Sequence, residues 1–232
     1  MTPGVISPSV KRSHEGDRQQ LGEYGRQLAR VRAGAVTTVL SVAVGFLGAS
    51  CLARDSAEDA TVSGAPSSLK RMPDGKQWTT ANLNVNTDRS YCYDDVELNC
   101  RRYGRLYTWE SAQQVCQSLG NGWRLPTTDE WRQLAKHYGG VSDDSDDRGK
   151  AAYAALLIGG SSGFNALLGG GRADGEEQYA RLEAHGFYWT ASESNPGSAW
   201  FYNFAKGGPA LHRQREGEKQ RAFSVRCVRS DG

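Results

Sequence analysis

The sequence predicts an α+β domain in which the helices precede the main strands. Two segments, 108–119 and 127–138, repeat apolar residues at helical spacing. Three later segments, 187–192, 199–205 and 221–228, are short and rich in aromatic and β-branched residues, which is typical of strands. The stretch between these two groups is rich in glycine and aspartate and favours neither element. We expect the late strands to pair antiparallel.

The first 50 residues have the pattern of a leader that contains a signal peptide. Arg26, Arg30 and Arg32 precede an apolar run at 33–47. This run has 15 residues, fewer than the roughly 20 that a helix needs to span a bilayer. Small residues end the run, as they do at a secretory cleavage site. We therefore expect export, and a buried core helix is the alternative.

Cys51 ends the sequence LGASC, which resembles the lipobox of bacterial lipoproteins. We expect Cys51 to become the lipidated first residue of the mature protein, anchored to a membrane of the cell envelope. Leu47 stands four residues before Cys51 instead of three, so ordinary cleavage after Ser50 or Ala53 is the alternative. Residues 51–72 are small and polar and lack apolar periodicity, which is typical of a flexible tether.

The excess of basic residues is confined to the leader. Residues 1–51 hold 6 of the 28 lysines and arginines but only 3 of the 26 aspartates and glutamates. The rest of the chain therefore carries 22 basic and 23 acidic residues and is close to neutral. A domain without excess positive charge does not favour nucleic acid or an anionic membrane surface as a partner.

Export places Cys92, Cys100, Cys116 and Cys227 in an oxidising compartment, where an even number of cysteines implies disulfides. Four cysteines allow three pairings. The acidic stretch between Cys92 and Cys100 can turn back, which favours a local bridge. Cys116 in the first helix would then be joined to Cys227 in the last strand. A metal site is the competing interpretation, but the spacing contains no C-x-x-C and no nearby histidine.

Each helix has recognisable ends. Thr108 stands where it can cap the first helix, and Gly120 ends that helix. In the second helix, Thr127 and Glu130 have the spacing of a capping box. Two glycines directly after Tyr138 stop the second helix. The aromatic residues of both helices fall on the apolar faces, so we expect them in the core.

Two further stretches have specific patterns. The segment 143–147 holds four aspartates, which we interpret as a solvated loop because the regular ligand spacing of an EF-hand is missing. In 221–228, apolar residues alternate with Ser224 and Arg226, so we expect one face of this strand to be buried.

Six motifs together carry a resemblance to a known family. They are, in chain order, DGKQWTTANLNV, YGRLYTWESA, GWRLPTTDEW, GFNALLGGGR, FYWTASE and FSVRCVR. They resemble the Fibrobacter succinogenes major paralogous domain over about residues 73–229. That family is grouped with the C-type-lectin-like fold, and its members are mostly exported bacterial proteins, often lipoproteins.

The resemblance implies two helices that flank a twisted antiparallel sheet, with a long irregular loop region. It also implies a disulfide from a helix to the last strand, and Cys116 and Cys227 fall where that bridge is expected. The Trp-Arg-Leu-Pro-Thr turn at 123–127 then has an architectural role, because it fixes the entry of the second helix and supplies aromatic core. Biochemical function is poorly defined across the family, so function has to be argued from the site.

Two relatives of the fold have chemistry that can be compared with these residues. Calcium-dependent lectins use Glu-Pro-Asn or Gln-Pro-Asp together with Trp-Asn-Asp, and here Glu193 and Asn195 are present but neither triplet is. Formylglycine-generating oxidases share an RLPT-x-x-EW turn but need closely spaced cysteines near the C-terminus, where Cys227 stands alone. We therefore expect no catalysis, no metal and no cofactor.

The hypothesis that remains is a binding module for a polysaccharide or a surface protein. The span 199–215 brings aromatic rings close to amide and guanidinium donors, a combination that suits such ligands. We expect the Gly-rich loop at 163–172 to border this surface, and we consider Trp200 a weaker candidate because alternating aromatics are also typical of a core. A structural envelope protein without a discrete ligand is the alternative. The expected contact residues are Tyr202, Asn203, His212, Arg213 and Arg215.

Overall fold

The computed structural model describes residues 68–173 and 178–230. The expected leader at 1–50, the lipidation site Cys51 and the tether as far as residue 67 lie outside the described residues. The described part of the chain is an α+β domain with four α-helices and ten strands. None of these helices is both long and apolar enough to cross a membrane.

The main sheet has five strands in the order β6-β5-β7-β8-β9, and two small sheets, β1-β2-β10 and β3-β4, lie beside it in the described chain. Strands β5 and β7 are parallel, and the other neighbours in the main sheet are antiparallel. The helices are α1 (Glu97–Tyr103), α2 (Trp109–Gln117), α3 (Thr128–Lys136) and α4 (Lys150–Leu156). The strands are β1 (Leu69–Arg71), β2 (Gln77–Thr79), β3 (Ser90–Tyr91), β4 (Leu106–Tyr107), β5 (Gly169–Arg172), β6 (Tyr179–Leu182), β7 (His185–Asn195), β8 (Ser198–Ala205), β9 (Ala210–Glu218) and β10 (Val228–Arg229).

Both faces of the main sheet are buried where β7 and β8 pair. Tyr188 and Tyr202 belong to a core cluster that also contains residues of α3 and α4. Trp189 and Phe201 belong to a second cluster, which contains residues of α2. Successive side chains of a strand point to opposite faces, so α2 covers one face and α3 with α4 the other.

The turn before α3 confirms the predicted capping box. The Glu130 amide donates to Thr127 Oγ1 at 3.2 Å, and the Thr127 amide donates to Glu130 Oε2 at 2.9 Å. Arg124 adds a contact that the sequence does not indicate, because its guanidinium donates to both carboxylate oxygens of Glu130 at 2.7 and 2.6 Å. The turn is therefore fixed by its own residues before any ligand is considered.

Trp131 shows why this turn contains an aromatic residue at the start of the helix. It has no exposed surface, and its ring lies 5.1–5.3 Å from the rings of Trp78, Phe164 and Tyr202. The tryptophan thus joins α3 to β2, to the loop before β5 and to β8. This packing agrees with an architectural role for the motif.

Both expected disulfides are present. Cys92 is bonded to Cys100, with a sequence separation of 8 residues. Cys116 is bonded to Cys227, with a separation of 111 residues. The second bond ties α2 to the segment just before β10, and both of its cysteines are completely buried. The covalent framework therefore closes the face of the sheet that α2 covers.

The region between α3 and β7 has more regular structure than the sequence predicts. Helix α4 forms over 150–156 because Ala152, Tyr153 and Leu156 find a buried cluster to pack against. The Gly-rich stretch contributes β5, where small residues are needed for close packing. A Cβ on Gly171 would lie 3.1 Å from the rings of Phe187 and Phe223.

The segment 221–228 differs from the prediction that only one of its faces is buried. Residues 222–228 are all buried, and only Val228 belongs to a regular strand. Phe223, Val225 and Cys227 lie in the cluster under α2, whereas Val228 lies in the cluster under α3. The segment runs between the two clusters, which explains why the expected solvent face is missing.

The burial of this segment also encloses Arg226, whose side chain has no exposed surface. Its Nε donates to the Asn82 amide oxygen at 2.7 Å. Its Nη atoms donate to the backbone carbonyls of Thr79, Phe164 and Asn165 at 3.1, 2.8 and 2.7 Å. Burial lowers the pKa of this guanidinium. Arg226 thereby joins three segments that are distant in sequence.

Candidate functional site

The surface beside α3 and β9 contains a continuous set of charged contacts around one tryptophan. We call it the charged strip and define it by Arg132, Asp143, Asp144, Trp200 and Arg213. Strands β8 and β9 bring the last two together, and the Arg213 guanidinium carbon lies 5.2 Å from the centre of the Trp200 ring. Trp200 is partly exposed, unlike the neighbouring aromatic residues of β8.

Two ion pairs continue the strip toward α3. Arg213 Nη2 donates to Asp143 Oδ2 at 2.6 Å, and Arg132 Nε donates to Asp144 Oδ2 at 2.5 Å. Arg132 can take part because it lies on the exposed side of α3, next to the buried Trp131. The Val141 amide also donates to Asp144 Oδ1 at 2.8 Å, which holds this carboxylate in place.

The charges of the strip are mutually stabilised. Burial opposes ionisation of Asp144, but the hydrogen bonds from Arg132 and the Val141 amide outweigh it and hold the pKa of Asp144 below its ordinary value. The same hydrogen bond to Asp144 raises the pKa of Arg132. Both groups therefore remain charged at neutral pH and can offer hydrogen bonds to a polar ligand.

Two of the expected contact residues are core residues, which corrects the sequence hypothesis. Tyr202 has no exposed surface; its ring is stacked on Trp131, and its hydroxyl donates to the Thr128 carbonyl at 2.8 Å. Asn203 is buried, with its amide oxygen 3.0 Å from His185 Nδ1. Because both side chains are buried, neither can contact a ligand at the surface.

The other expected residues lie at or near the surface. Arg213 is part of the charged strip, with 20% of its side chain exposed. His212 is half-buried, with Nδ1 2.9 Å from Ser142 Oγ, and Arg215 is exposed on β9. The Gly-rich border is displaced, because β5 is separated from β9 by β7 and β8.

The charged strip also contains residues outside the expected set. The apolar face of α3 is easily recognised in the sequence, and Arg132 lies on its opposite, exposed face. The pairing of Arg132 with Asp144 is not predictable in this way, because it depends on how the aspartate-rich loop folds back beside α3. The aspartate-rich loop could have indicated the site, since Asp143 and Asp144 both face arginines. Asp147 has a structural role, because its carboxylate accepts hydrogen bonds from the Gly149 and Ala151 amides at the start of α4.

Only one group of described side chains has the proximity needed to hold a metal ion. It consists of Cys92, Glu97 and Cys100. The two sulfur atoms of this group form a disulfide, so they are not available as thiolate ligands in the oxidised protein.

Comparison with known proteins identifies the family. The family model of the Fibrobacter succinogenes major domain matches residues 65–229, most of the chain. The protein therefore belongs to this family, as its motifs indicate. Neither the curated proteins nor the solved structures contain a match.

Proposed function

We propose that this member of the Fibrobacter succinogenes major domain family is an exported, non-catalytic binding module with a C-type-lectin-like fold. Its mature chain begins at the lipidated Cys51, which anchors it to a membrane of the cell envelope. The tether that precedes β1 holds the domain away from the lipid, since β1 and Met72 belong to the folded domain. The ligand is a polysaccharide or a surface protein, and the charged strip is its contact surface.

The observation that carries this proposal is the partly exposed Trp200 beside Arg213, at the end of two linked ion pairs. An aromatic ring offers a large apolar face to a sugar ring or to an interface side chain. The neighbouring carboxylates and guanidiniums supply the polar contacts that fix orientation. The combination is typical of a recognition surface.

The surface is also rigid, which favours binding. Arg132 lies on α3, Trp200 and Arg213 lie on paired strands, and the Val141 amide holds Asp144. Side chains that are already ordered lose less conformational entropy when a ligand binds. The disulfide-linked core below keeps this arrangement independent of the ligand.

Export and anchoring are tested by the intact mass of the mature protein in the membrane fraction. We expect a chain that begins at an acylated Cys51. A Cys51→Ala variant should move the protein out of the membrane fraction. A soluble wild-type chain that begins at Leu52 or later would contradict the lipid anchor.

Binding is tested with a glycan array and a pull-down of surface proteins, each with calcium and with EDTA. Trp200→Ala and Arg213→Ala should each weaken binding at least about tenfold, because each removes a central contact. Arg221→Ala is the matched control, since Arg221 forms a half-exposed ion pair with Glu218 outside the charged strip. The melting temperature of all three variants should stay close to that of the wild type.

The outcomes separate the hypotheses. Loss of binding in the Trp200 and Arg213 variants alone supports the charged strip. Equal loss in the Arg221 variant would place the contact elsewhere. The complete absence of a ligand in both assays would favour a structural envelope protein, and loss of all binding in EDTA would show that calcium takes part.

A further inference from the structure

Two cavities follow the exposed side of α3 and share part of their walls. The first has a volume of about 540 Å³ and lies between α3 and the aspartate-rich loop. The second has a volume of about 410 Å³ and lies between α3 and the segment before β2. Gln133 and Lys136 line both, so the two cavities adjoin each other along the helix.

The first cavity also joins the charged strip. Arg132 and Asp144, which form the strip's second ion pair, are part of its lining. The charged strip and the two cavities therefore form a series of polar surfaces that runs from Trp200, past the two ion pairs, to the first cavity and then to the second. Asp129 and His137 mark the two ends of this lining along α3, and their separation of eight residues corresponds to about 12 Å of helix. This is longer than a single sugar ring.

The chemistry of the lining restricts the ligand. Pro73 is the one apolar side chain among the described residues that line the two cavities, so most of the lining side chains can form hydrogen bonds with a ligand. Four carboxylates but only two permanent cations line them. The excess of negative charge disfavours a polyanion. The carboxylates are Asp74, Asp129, Asp144 and Asp146, and the cations are Arg132 and Lys136.

The wall formed by the loop is fixed in place. Gly140 has a positive φ, and a Cβ at this position would lie 2.9 Å from Asp144 Oδ1. Ser145 donates to the Val141 carbonyl at 2.8 Å, so the loop is closed by its own hydrogen bonds. A shaped, polar and rigid wall is suited to a ligand that presents many hydroxyl groups.

We propose that the charged strip and the two cavities form one extended groove for a linear chain of neutral sugars. The inference rests on the proposed binding function and names its ligand class. One sugar ring stacks against Trp200, and the following rings extend over the Arg132–Asp144 pair. Their hydroxyls donate to the carboxylates and accept from Gln133 and Lys136 along α3.

The test measures the affinity of the full-length mature protein for soluble oligosaccharides of increasing length. Neutral linear chains of glucose, mannose and N-acetylglucosamine are used, from monosaccharide to hexasaccharide. Oligogalacturonates of the same lengths form the acidic series. We expect at least one neutral series to gain about tenfold or more in affinity from disaccharide to hexasaccharide. The acidic hexasaccharide should bind more weakly than the neutral ones.

A blocking variant locates the groove. Gln133→Trp places a bulky ring on the exposed position that both cavities share, so it should abolish the gain with chain length. Binding of the disaccharide at Trp200 should remain. Gln114→Trp is the matched control, because Gln114 is an exposed residue of α2 on the other side of the sheet.

Each result separates this inference from the proposed function. Affinity that does not rise with length, tighter binding of the acidic chains, or an unaffected Gln133→Trp variant would overturn the groove. The proposed function would survive any of these results if Trp200→Ala still removed binding. If no oligosaccharide binds in any series, the groove is overturned, and the proposed function depends on the protein pull-down alone.

Discussion

Two neighbouring residues hold the two faces of the main sheet in different ways. Arg226 lies on the side of α3, where its guanidinium donates to Asn82 and to backbone carbonyls of distant segments. Cys227 lies on the side of α2, where it is covalently bonded to Cys116. One face is thus closed by hydrogen bonds of a buried charge, and the other by a disulfide.

Because of this difference, the two faces should lose stability under different conditions. The α2 face depends on an oxidising environment, because it contains the Cys116–Cys227 disulfide. The α3 face depends on satisfied polar groups, since it contains both Arg226 and the Arg124–Glu130 pair. Reduction should therefore loosen the first face, whereas acid should loosen the second. The charged strip stands above the second face.

The largest expected effect is on the covalent side. The combined variant Cys116→Ser and Cys227→Ser removes a bond that closes a loop of 111 residues. For a loop of roughly this length, the chain-entropy model gives about 4.7 kcal/mol of stabilisation. Urea denaturation should therefore show a loss of the free energy of unfolding near this value. A loss below about 2 kcal/mol would mean that the α2 face does not depend on the disulfide.

The next effect should fall on the polar side. Arg226→Met keeps an apolar stem but leaves four acceptors without their donor, three of them on buried residues. An unpaired buried acceptor costs about 1–3 kcal/mol, and loss of the buried charge offsets part of that cost, so we expect a net loss of about 3 kcal/mol. The control is Arg229→Met, because Arg229 is half-buried and its Nε bonds only to Gln77 in the described contacts. Equal losses for the two variants, measured by urea denaturation, would contradict a special role for Arg226.

A third variant tests whether loop length decides the contribution of a disulfide. Cys92→Ser combined with Cys100→Ser opens a bridge with a separation of only 8 residues. The same chain-entropy model gives about 2.5 kcal/mol for so short a loop. The free energy of unfolding should therefore fall about half as far as in the variant without Cys116 and Cys227. A larger fall would show that the short bridge also holds α1 in place.

The sequence is sufficient to predict features that depend on local pattern. The capping box of Thr127 and Glu130 is readable from spacing alone, and so are the apolar faces of α2 and α3. The disulfides are also predictable, since the turn between Cys92 and Cys100 favours a local pair. Each of these predictions needs only neighbouring residues or a count.

Features that depend on distant partners are not predictable in this way. Arg226 looks like a solvent-facing residue of an alternating strand, and its acceptors Thr79 and Asn82 lie more than 140 residues away. Tyr202 and Trp200 share one strand pattern, yet only the first is covered by α3. The sequence therefore does not predict which residues of β8 form the candidate site, because that depends on which of them α3 covers.

The smallest expected effect concerns the Arg124–Glu130 pair and is best seen through pH. Burial opposes ionisation of Glu130, but hydrogen bonds from Arg124 and the Thr127 amide outweigh it and hold the pKa of Glu130 below its ordinary value. A lowered pKa means that the pair stabilises the fold fully above the unfolded pKa of about 4.3. This contribution is lost as the pH falls through the lower pKa of the folded state.

Glu130→Gln keeps the size of the side chain and removes its charge. Because 42% of the Arg124 side chain is exposed, solvent screens the pair, and the variant should lose only about 1 kcal/mol at neutral pH. The difference between wild type and variant should shrink below about pH 4.3, since protonation then removes the same charge from both. Asp144 and Asp147 also have lowered pKa values, but they are common to both proteins and cancel in the difference. Urea denaturation at several pH values measures this difference, and a constant value down to strongly acidic pH would show that the charge of Glu130 does not hold the α3 face.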